Sequence, residues 1–290
     1  MKARSPPRPG AAGVVGSSAS KTTLRTVHRA AAAPLLSYVL HRYDWSESSL
    51  IVELFTRAQG RLVVAAKGAK RPTSQLRPVL MPFQPLNALL GKAPADEAAE
   101  VRNLRSAEWA GGSALLGAGS LLAGYYANEL LLKLLARQDP HPALFDAYAD
   151  TLTALAAADG DEEGDGKRDE AVVLRAFELL LLRELGWLPD LAIATLTTEP
   201  VEPDGRYTLH PEAGLTARSD GLPGATWVAI EAALAHARSQ GSGRALRTVC
   251  SGVAGALRGP LRTLLHYHLG SSQLRTRQVW QSVQRLTESR

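Results

Sequence analysis

Residues 172–189 read VVLRAFELLLLRELGWLP. Only four charged positions interrupt this run, so a helix formed here would be apolar on nearly every face and would need burial among other helices. The run of about 14 residues is too short to span a bilayer, which takes roughly 20. Gly186 suits the position that ends a helix, and Pro189 stops its continuation. The stretch therefore predicts the central helix of a helical domain, with Trp187 packed where the helix ends.

The composition is that of a globular chain with room for one large or two medium domains. The 290 residues are 45% hydrophobic and 21% charged, which is ordinary for such chains. The single cysteine, Cys250, excludes an internal disulfide and a cysteine-rich metal site. No apolar run approaches a membrane span, and the N-terminus lacks the apolar core of a secretory signal. We expect a cytoplasmic protein without a metal or another cofactor.

Charge is distributed unevenly along the chain. Residues 1–33 have a net charge of +6 and residues 34–100 of +2, whereas residues 101–237 carry −11 and residues 238–290 carry +8. A chain with basic ends and an acidic middle can present separate surfaces to a polyanion and to a basic partner.

Residues 34–109 alternate short β-prone segments with turn residues, whereas residues 1–33 show no lasting period and are interpreted as a disordered basic tail. About five strands in roughly 75 residues indicate an OB-fold β-barrel, and Pro78, Pro82 and Pro85 favour short or edge strands in its second half. The candidate strands are Ser37–Arg42, Ser49–Thr56, Arg61–Lys67, Val79–Phe83, Pro85–Leu90 and Val101–Ala107.

Residues 110–290 have helical periodicity and are predicted to form an all-α domain, so the fold class is α+β. Residues 190–224 interrupt the helices as a small irregular lobe without cysteine, in which Arg206–Leu209 and Gly214–Ala217 could pair as a hairpin. An acidic exposed loop is expected at Asp159–Glu170. The helices expected besides the central one are Leu115–Ala136, Pro142–Ala157, Thr226–Arg238, Arg244–Leu257, Pro260–Leu269 with Gly270 as its cap, and a last helix after Ser272.

Basic residues concentrate on the predicted barrel, where no acid falls between Glu53 and Asp96. A basic barrel with nearby aromatic residues fits single-strand binding, in which bases stack and phosphates are neutralised. The alternative is that the aromatic residues fill the barrel and the cations are merely solvated; for Phe55 we favour the core. The candidate DNA-binding cations are Arg57, Arg61, Lys67, Lys70, Arg71, Arg77 and Lys92, and the candidate aromatic residues are Tyr38, Tyr43, Trp45 and Phe55.

No motif for catalysis or metal binding is present. His266 and His268 lie two positions apart, which on a helix points them away from each other. The glycines at 112, 117 and 119 follow no strand–GxGxxG–helix order, and neither a GxxxxGK[ST] nor a GxSxG sequence occurs. We expect a protein that is not an enzyme, and a hydrolase ranks behind the binding functions considered below.

Eight segments in this order resemble the bacterial recombination mediator family RecO, and the resemblance covers about residues 35–285. It implies an OB barrel followed by a helical domain. Many members of the family carry a four-cysteine zinc module after the central helix, but the corresponding lobe here has no cysteine. The lobe is therefore expected to fold without metal or to stay mobile. The segments are YDWSESS (43–49), FTRAQGR (55–61), KGAKR (67–71), MPFQPL (81–86), YYANELLLKLL (125–135), DPHPALF (139–145), LRAFELLLLRELGWLP (174–189) and LLHYHLGSSQLRTRQV (264–279).

The resemblance implies a DNA repair and recombination mediator. Such proteins bind single- and double-stranded DNA, anneal complementary strands and, with a RecR-type mediator, help load recombinase onto strands coated by single-strand-binding protein. We expect a second basic surface formed by Arg262, Arg275 and Arg277. The acidic, apolar C-terminal tail of single-strand-binding protein would need an apolar groove with cations, for which the candidates are Tyr125, Tyr126, Lys133 and Arg137; plain helix packing explains these four equally well.

Two other functions stay open at this point. One is a generic OB-fold single-strand binder without mediator activity. The other is a protein–protein adaptor without DNA affinity, in which the acidic middle of the chain is the docking face.

Overall fold

The computed structural model describes residues 33–91, 101–112, 115–158, 166–240, 242–270 and 274–288. Most of the predicted basic tail, Lys92 and the first half of the predicted acidic loop lie outside these residues.

Five strands near the N-terminus form a closed barrel in the order β1-β2-β3-β5-β4, which confirms the predicted OB-type domain. Neighbouring strands are antiparallel except for the parallel pair β3 and β5. Val39, Val52 and Leu54 point into the barrel, while Tyr38 and Phe55 on the opposite faces point towards the helices. The strands are β1 Leu35–Asp44, β2 Leu50–Thr56, β3 Gly60–Ala66, β4 Pro85–Leu90 and β5 Val101–Trp109.

The segment Val79–Phe83 is not the strand that the sequence analysis predicts. A one-turn helix, α1 (Leu76–Val79), is followed by Phe83 with a φ of +67°. Pro78 and Pro82 supply no amide N–H for a strand ladder, so a turn is favoured here over a sixth strand. Leu80 is nevertheless fully buried and fills the barrel end from this turn.

In the described part of the chain seven further helices follow the barrel, and α4 lies at their centre as predicted. It packs against α2, α3, α5, α6 and α7. It ends as the sequence indicates: Gly186 adopts a φ of +73°, and the amides of Gly186 and Trp187 donate to the carbonyls of Arg183 and Leu182 in a Schellman motif. The helices are α2 Leu121–Leu134, α3 Pro142–Ala158, α4 Gly166–Glu184, α5 Gly224–Gln240, α6 Arg244–Cys250, α7 Ala254–Leu269 and α8 Arg275–Glu288.

Several predicted boundaries are wrong. The helix expected over Arg244–Leu257 ends at Cys250, and α4 begins at Gly166, inside the stretch expected to be an acidic loop. The helix expected from Leu115 begins only at Leu121, because the glycine-containing segment before it forms turns and Leu115 is 78% exposed. The helix expected to start at Pro260 begins at Ala254 and contains Pro260 in its interior. Burial of leucines before and after the proline holds α7 together despite the missing N–H donor.

The irregular lobe contains a three-stranded antiparallel sheet in the order β7-β6-β8, so the predicted hairpin is confirmed. The strands are β6 Arg206–His210, β7 Gly214–Ala217 and β8 Leu222–Pro223. The fully buried Trp227 of α5 donates its indole N–H to the carbonyl of Tyr207 at 3.0 Å. The Glu231 carboxylate accepts the amide of Leu191 at 2.9 Å and pairs with Arg183. Indole packing and these hydrogen bonds attach the lobe to the helical domain.

Outward-facing residues of the barrel belong to the core of the helical domain, whereas the barrel interior is a separate cluster. The rings of Tyr38 and Phe55 each lie 5.3 Å from the ring of Phe145, measured between centroids. The buried amide of Asn128 donates to the carbonyl of Leu40 at 3.0 Å. A buried aromatic cluster with a satisfied amide is strong packing, so the two domains form one body.

The turn between β2 and β3 presses closely on the loop between α2 and α3. The amide of Gln138 donates to the carbonyl of Arg61 at 2.9 Å. Gly60 has a φ of +67°, and a Cβ at this position would collide with the backbone of Asp139. A glycine is therefore required at this turn for two independent reasons.

Candidate nucleic-acid interface

Two loops meet at one end of the barrel and are held together by Lys70. The Nζ atom of Lys70 donates to the carbonyl of Ser46 at 2.9 Å and lies 3.2 Å from Oδ1 of Asp44. Its backbone amide donates to the carbonyl of Ser48 at 2.9 Å. The loop between β1 and β2 is thereby fixed beside the loop that follows β3.

The other predicted cations of this second loop are open to solvent. Lys67, Arg71 and Arg77 are exposed, and none of them has a carboxylate partner among the described residues. Together with Lys70 they are called the loop cations below. Three charges without an internal counter-charge are available to an external anion.

The four candidate aromatic residues fall into two pairs. Trp45 is 56% exposed and Tyr43 is 47% exposed, and both lie beside the residues that contact Lys70. The ring of Tyr43 packs against His41 at a centroid distance of 4.4 Å, which restrains it at the surface. Tyr38 and Phe55 are buried core residues. The surface pair has the exposure that base stacking requires.

Arg57 and Arg61 serve the junction between the domains. Arg57 forms a two-point pair with Asp146 of α3, with both N–O distances 2.9 Å. Arg61 donates to the carbonyl of Leu135 at 3.1 Å and to the buried Glu53 at 3.3 Å. Glu53 also pairs with Arg137. The assignment of Arg57 and Arg61 to DNA stays a prediction, and their charges are already neutralised within the protein.

A second group of cations lies on α7 and α8. Arg258, Arg262 and His266 follow at four-residue intervals along α7, which places them on one helix face, and Arg277 approaches from α8. Partial burial and the charges of Arg262 and Arg258 lower the pKa of Arg277. Burial, Arg262 and Arg277 likewise lower the pKa of His266.

These α7–α8 arginines, Arg258, Arg262 and Arg277, have no carboxylate partner in the described part of the chain. Mutually repelling cations that form no direct ion pair in this part of the chain are the arrangement that attracts phosphate. Arg262 and Arg277 are among the cations predicted from the sequence, whereas Arg258 is not, because the sequence predicts a helix that begins only at Pro260. The four-residue spacing of Arg258 and Arg262 is the signal that would have found it.

Arg275 begins α8 and faces the barrel. Its charge is the second cause, after burial, of a lowered pKa of His41 on β1. Its side chain is exposed, and no carboxylate partner is present in the described ranges. Arg275 is therefore an exposed cation near β1 of the barrel, at the start of the helix that carries Arg277.

The buried Glu129 of α2 holds the first turn of α8. Its carboxylate accepts the amides of Arg275 and Thr276 at 2.8 and 3.0 Å and the Thr276 hydroxyl at 2.7 Å. Burial alone would raise the pKa of Glu129, but these hydrogen bonds and Lys133 outweigh it and leave the pKa below its ordinary value. An ionised Glu129 thus satisfies the free amides of the helix and positions its arginines.

Most of the predicted partner-binding residues are occupied inside the protein. The Tyr126 hydroxyl donates to the buried Glu178 at 2.6 Å. Lys133 lies 3.4 Å from Glu129, and Arg137 lies 3.4 Å from Glu53. Tyr125 is 38% exposed and packs edge-on against Phe83. A partner site on this helix stays a prediction that rests chiefly on Tyr125.

The described residues contain no group of three or more histidine, cysteine or acidic side chains that could hold a metal ion. His268 stacks on Trp187 at a centroid distance of 4.2 Å and an interplanar angle of 6°, while His266 faces the arginines. Burial raises the pKa of the Cys250 thiol to about 12, which leaves little thiolate for chemistry. No helix among the described residues is long and apolar enough to cross a membrane.

The fold defines an OB-barrel protein with an appended helical domain. Family models described as "Recombination protein O N terminal" and "Recombination protein O C terminal" match residues 37–111 and 119–278. The chain belongs to the RecO family.

Similar proteins named "DNA repair protein RecO" support the same assignment. The relative from Variovorax paradoxus is 51% identical over 267 residues, which are 91% of this chain and all of that relative. Those from Verminephrobacter eiseniae and Polaromonas sp. are 50% and 48% identical, each over 86% of this chain and 96% of the relative. The chain is thus a member of a family of DNA repair proteins.

Proposed function

We propose that this protein binds single- and double-stranded DNA and anneals complementary strands. The observation that carries the proposal is the barrel end, where exposed Trp45 and Tyr43 lie beside the loop cations, of which Lys67, Arg71 and Arg77 have no carboxylate partner among the described residues. Stacking on such aromatic residues contributes about 1–3 kcal/mol for each engaged base. The cations bind DNA phosphates and displace the counterions condensed on the DNA, which makes the binding dependent on salt.

Annealing requires that two polyanions be held close together. The loop cations bind one strand, and the α7–α8 arginines together with Arg275 bind the second strand or a duplex. Each surface screens the phosphates that it binds, so the repulsion between the strands falls and complementary bases can meet. The protein supplies no bond-breaking chemistry in this mechanism and acts as a mediator, not as an enzyme.

The proposal extends to partners. A RecR-type mediator and the C-terminal tail of single-strand-binding protein would direct the protein to coated strands and help recombinase to load. This work would take place in the cytoplasm, at the nucleoid. Tyr125 with Lys133 and Arg137 is the proposed contact for the acidic tail.

A fluorescence annealing assay with complementary oligonucleotides, run across a salt series, tests the proposal. We expect acceleration that fades as salt rises. DNA binding without acceleration would indicate a generic single-strand binder and would remove the annealing function. Neither binding nor annealing at moderate salt would overturn the proposal in favour of a protein–protein adaptor.

A further inference from the structure

A cleft of about 560 Å³ opens in the three-stranded lobe beside strand β7. Its floor is apolar: Leu215 is fully buried and Pro200 and Ala217 adjoin it. Leu196 lines the cleft and is 72% exposed. An apolar side chain as exposed as Leu196 would gain about 1–2 kcal/mol if a partner covered it.

The rim of the cleft is negatively charged. Glu199 and Glu202 line it, and neither carboxylate has a cationic partner within the described ranges. The two arginines of the lobe are used elsewhere: Arg218 pairs with Asp220, and Arg206 donates to the carbonyl of Gly221. A cationic side chain is therefore the complement of this rim.

Strand β7 is an edge strand whose outer side is only partly covered. The amide and the carbonyl of Leu215 bond to Thr195, on the side away from β6. In an antiparallel ladder, residues two apart point their N–H and C=O to the same side. Ala217 therefore presents its amide and carbonyl outward, next to the cleft, and these groups have no hydrogen bond in the described part of the structure.

We propose that this cleft binds an extended segment of a partner protein in which cationic and apolar side chains alternate. The segment adds to the open edge at Ala217 by main-chain hydrogen bonds, which is the usual way that an edge strand recognises a peptide. An apolar side chain fills the space between Leu196 and Leu215, and a lysine or arginine lies between Glu199 and Glu202. The site is separate from the proposed DNA surfaces and does not depend on them.

Fluorescence anisotropy with the full chain and three labelled peptides tests the proposal. The probes are capped peptides of alternating valine and lysine, the same peptide with glutamate for lysine, and a valine–lysine peptide N-methylated on alternate amides. We expect the first to bind with a Kd below ~1 mM. The second and third are each expected to bind at least ~10-fold more weakly, because one lacks the cations and the other cannot pair with a strand.

Protein variants locate the site. The double substitution Glu199→Gln with Glu202→Gln is expected to weaken the valine–lysine peptide about 10-fold. Ala217→Pro removes the outward amide, which β6 does not use, and is expected to have a similar effect. Glu212→Gln is the matched control, since this acid lies on the turn between β6 and β7 and does not line the cleft.

Three outcomes overturn the proposal: no binding of the first peptide, equal binding of its glutamate counterpart, or binding that survives both cleft variants. A circular-dichroism melt of each variant guards against misfolding; if Ala217→Pro unfolds, the glutamine pair still decides. A further outcome is a rise in molecular mass with protein concentration in the absence of peptide. If the cleft variants abolish that rise, the cleft binds a second copy of this chain and the proposal is overturned.

Discussion

The two cationic surfaces of the protein are alike in charge and different in surroundings. The loop cations lie on a connection at the barrel end beside exposed Trp45 and Tyr43. The α7–α8 arginines project from two helices. Loops with aromatic residues suit unstacked bases, whereas guanidinium groups at fixed spacing suit a regular row of phosphates. The comparison teaches that two surfaces of the same charge can differ in the form of nucleic acid that they suit.

The largest expected effect comes from removing Lys67, Lys70 and Arg71 together by substitution to alanine. Lys67 and Arg71 have no carboxylate partner among the described residues, and Lys70 holds the two loops together. Their loss is expected to lower affinity for single-stranded DNA about 100-fold at 0.1 M salt and to reduce the log–log salt slope by about two. The measurement is a titration with a labelled oligonucleotide across a salt series. An unchanged slope would remove this loop from the interface and end the distinction between the two surfaces.

Replacing Glu129 by glutamine tests how the second surface is positioned. Losing charged hydrogen bonds to the start of α8 is expected to lower the free energy of unfolding by about 2 kcal/mol at pH 7. Since the folded chain lowers the pKa of Glu129, its stabilisation is present above the ordinary value of 4.5 and is lost as pH falls through the lower, folded value.

The difference in unfolding free energy between the wild-type chain and Glu129→Gln should therefore shrink on acidification, as measured by urea unfolding at several pH values. Glu202→Gln, an exposed acid, serves as the control and should change stability by less than about 0.5 kcal/mol. A difference between wild type and Glu129→Gln that does not vary with pH would show that the charge of Glu129 does not stabilise the start of α8.

Substituting Arg258, Arg262 and Arg277 by alanine separates annealing from binding. We expect the annealing rate to fall about 10-fold while single-strand affinity at the barrel end changes less, because the second strand loses its phosphate contacts. Stopped-flow annealing gives the annealing rate, and anisotropy on the same preparation gives the single-strand affinity. Equal losses in both would mean that the surfaces act as one site.

The smallest effect is expected for Arg57→Ala. Its charge is neutralised by Asp146, so single-strand affinity should change by less than about twofold and stability by less than about 1 kcal/mol. Arg71→Ala, a fully available cation of the same barrel, is the matched comparison in the anisotropy titration. A larger loss of affinity for Arg57→Ala than for Arg71→Ala would return Arg57 to the interface.

Local sequence predicts the architecture well where a single physical cause dominates. The bounds of β4 and the end of α4 follow from alternation and from a glycine, and both are confirmed. Prolines are ambiguous: Pro78 and Pro82 break a strand, whereas Pro260 remains inside a helix because the leucines around it are buried. The choice depends on tertiary packing, which a short window does not contain.

The candidate cations could be named from the sequence, but not which of them lack a carboxylate partner in the folded chain. Arg57 and Arg71 look equivalent in the sequence. Arg57 meets Asp146, which lies 89 positions later, while Arg71 meets no acid among the described residues. Only folding brings such a counter-charge into place. Arg258 is not among the predicted cations for a related reason: it lies on one helix face with Arg262 only because α7 continues through Pro260.

The contact of Gly60 with the loop before α3 has a mechanical consequence. Asn128 and the Arg61 carbonyl form hydrogen bonds across the same junction. The barrel therefore cannot rotate relative to the helices without losing these hydrogen bonds and the backbone contact at Gly60. A strand held at one end of such a body is held at a constant offset from a strand held at the other. The protein would therefore hold two DNA strands at the same spacing each time, and the complementarity of their bases would decide whether they pair.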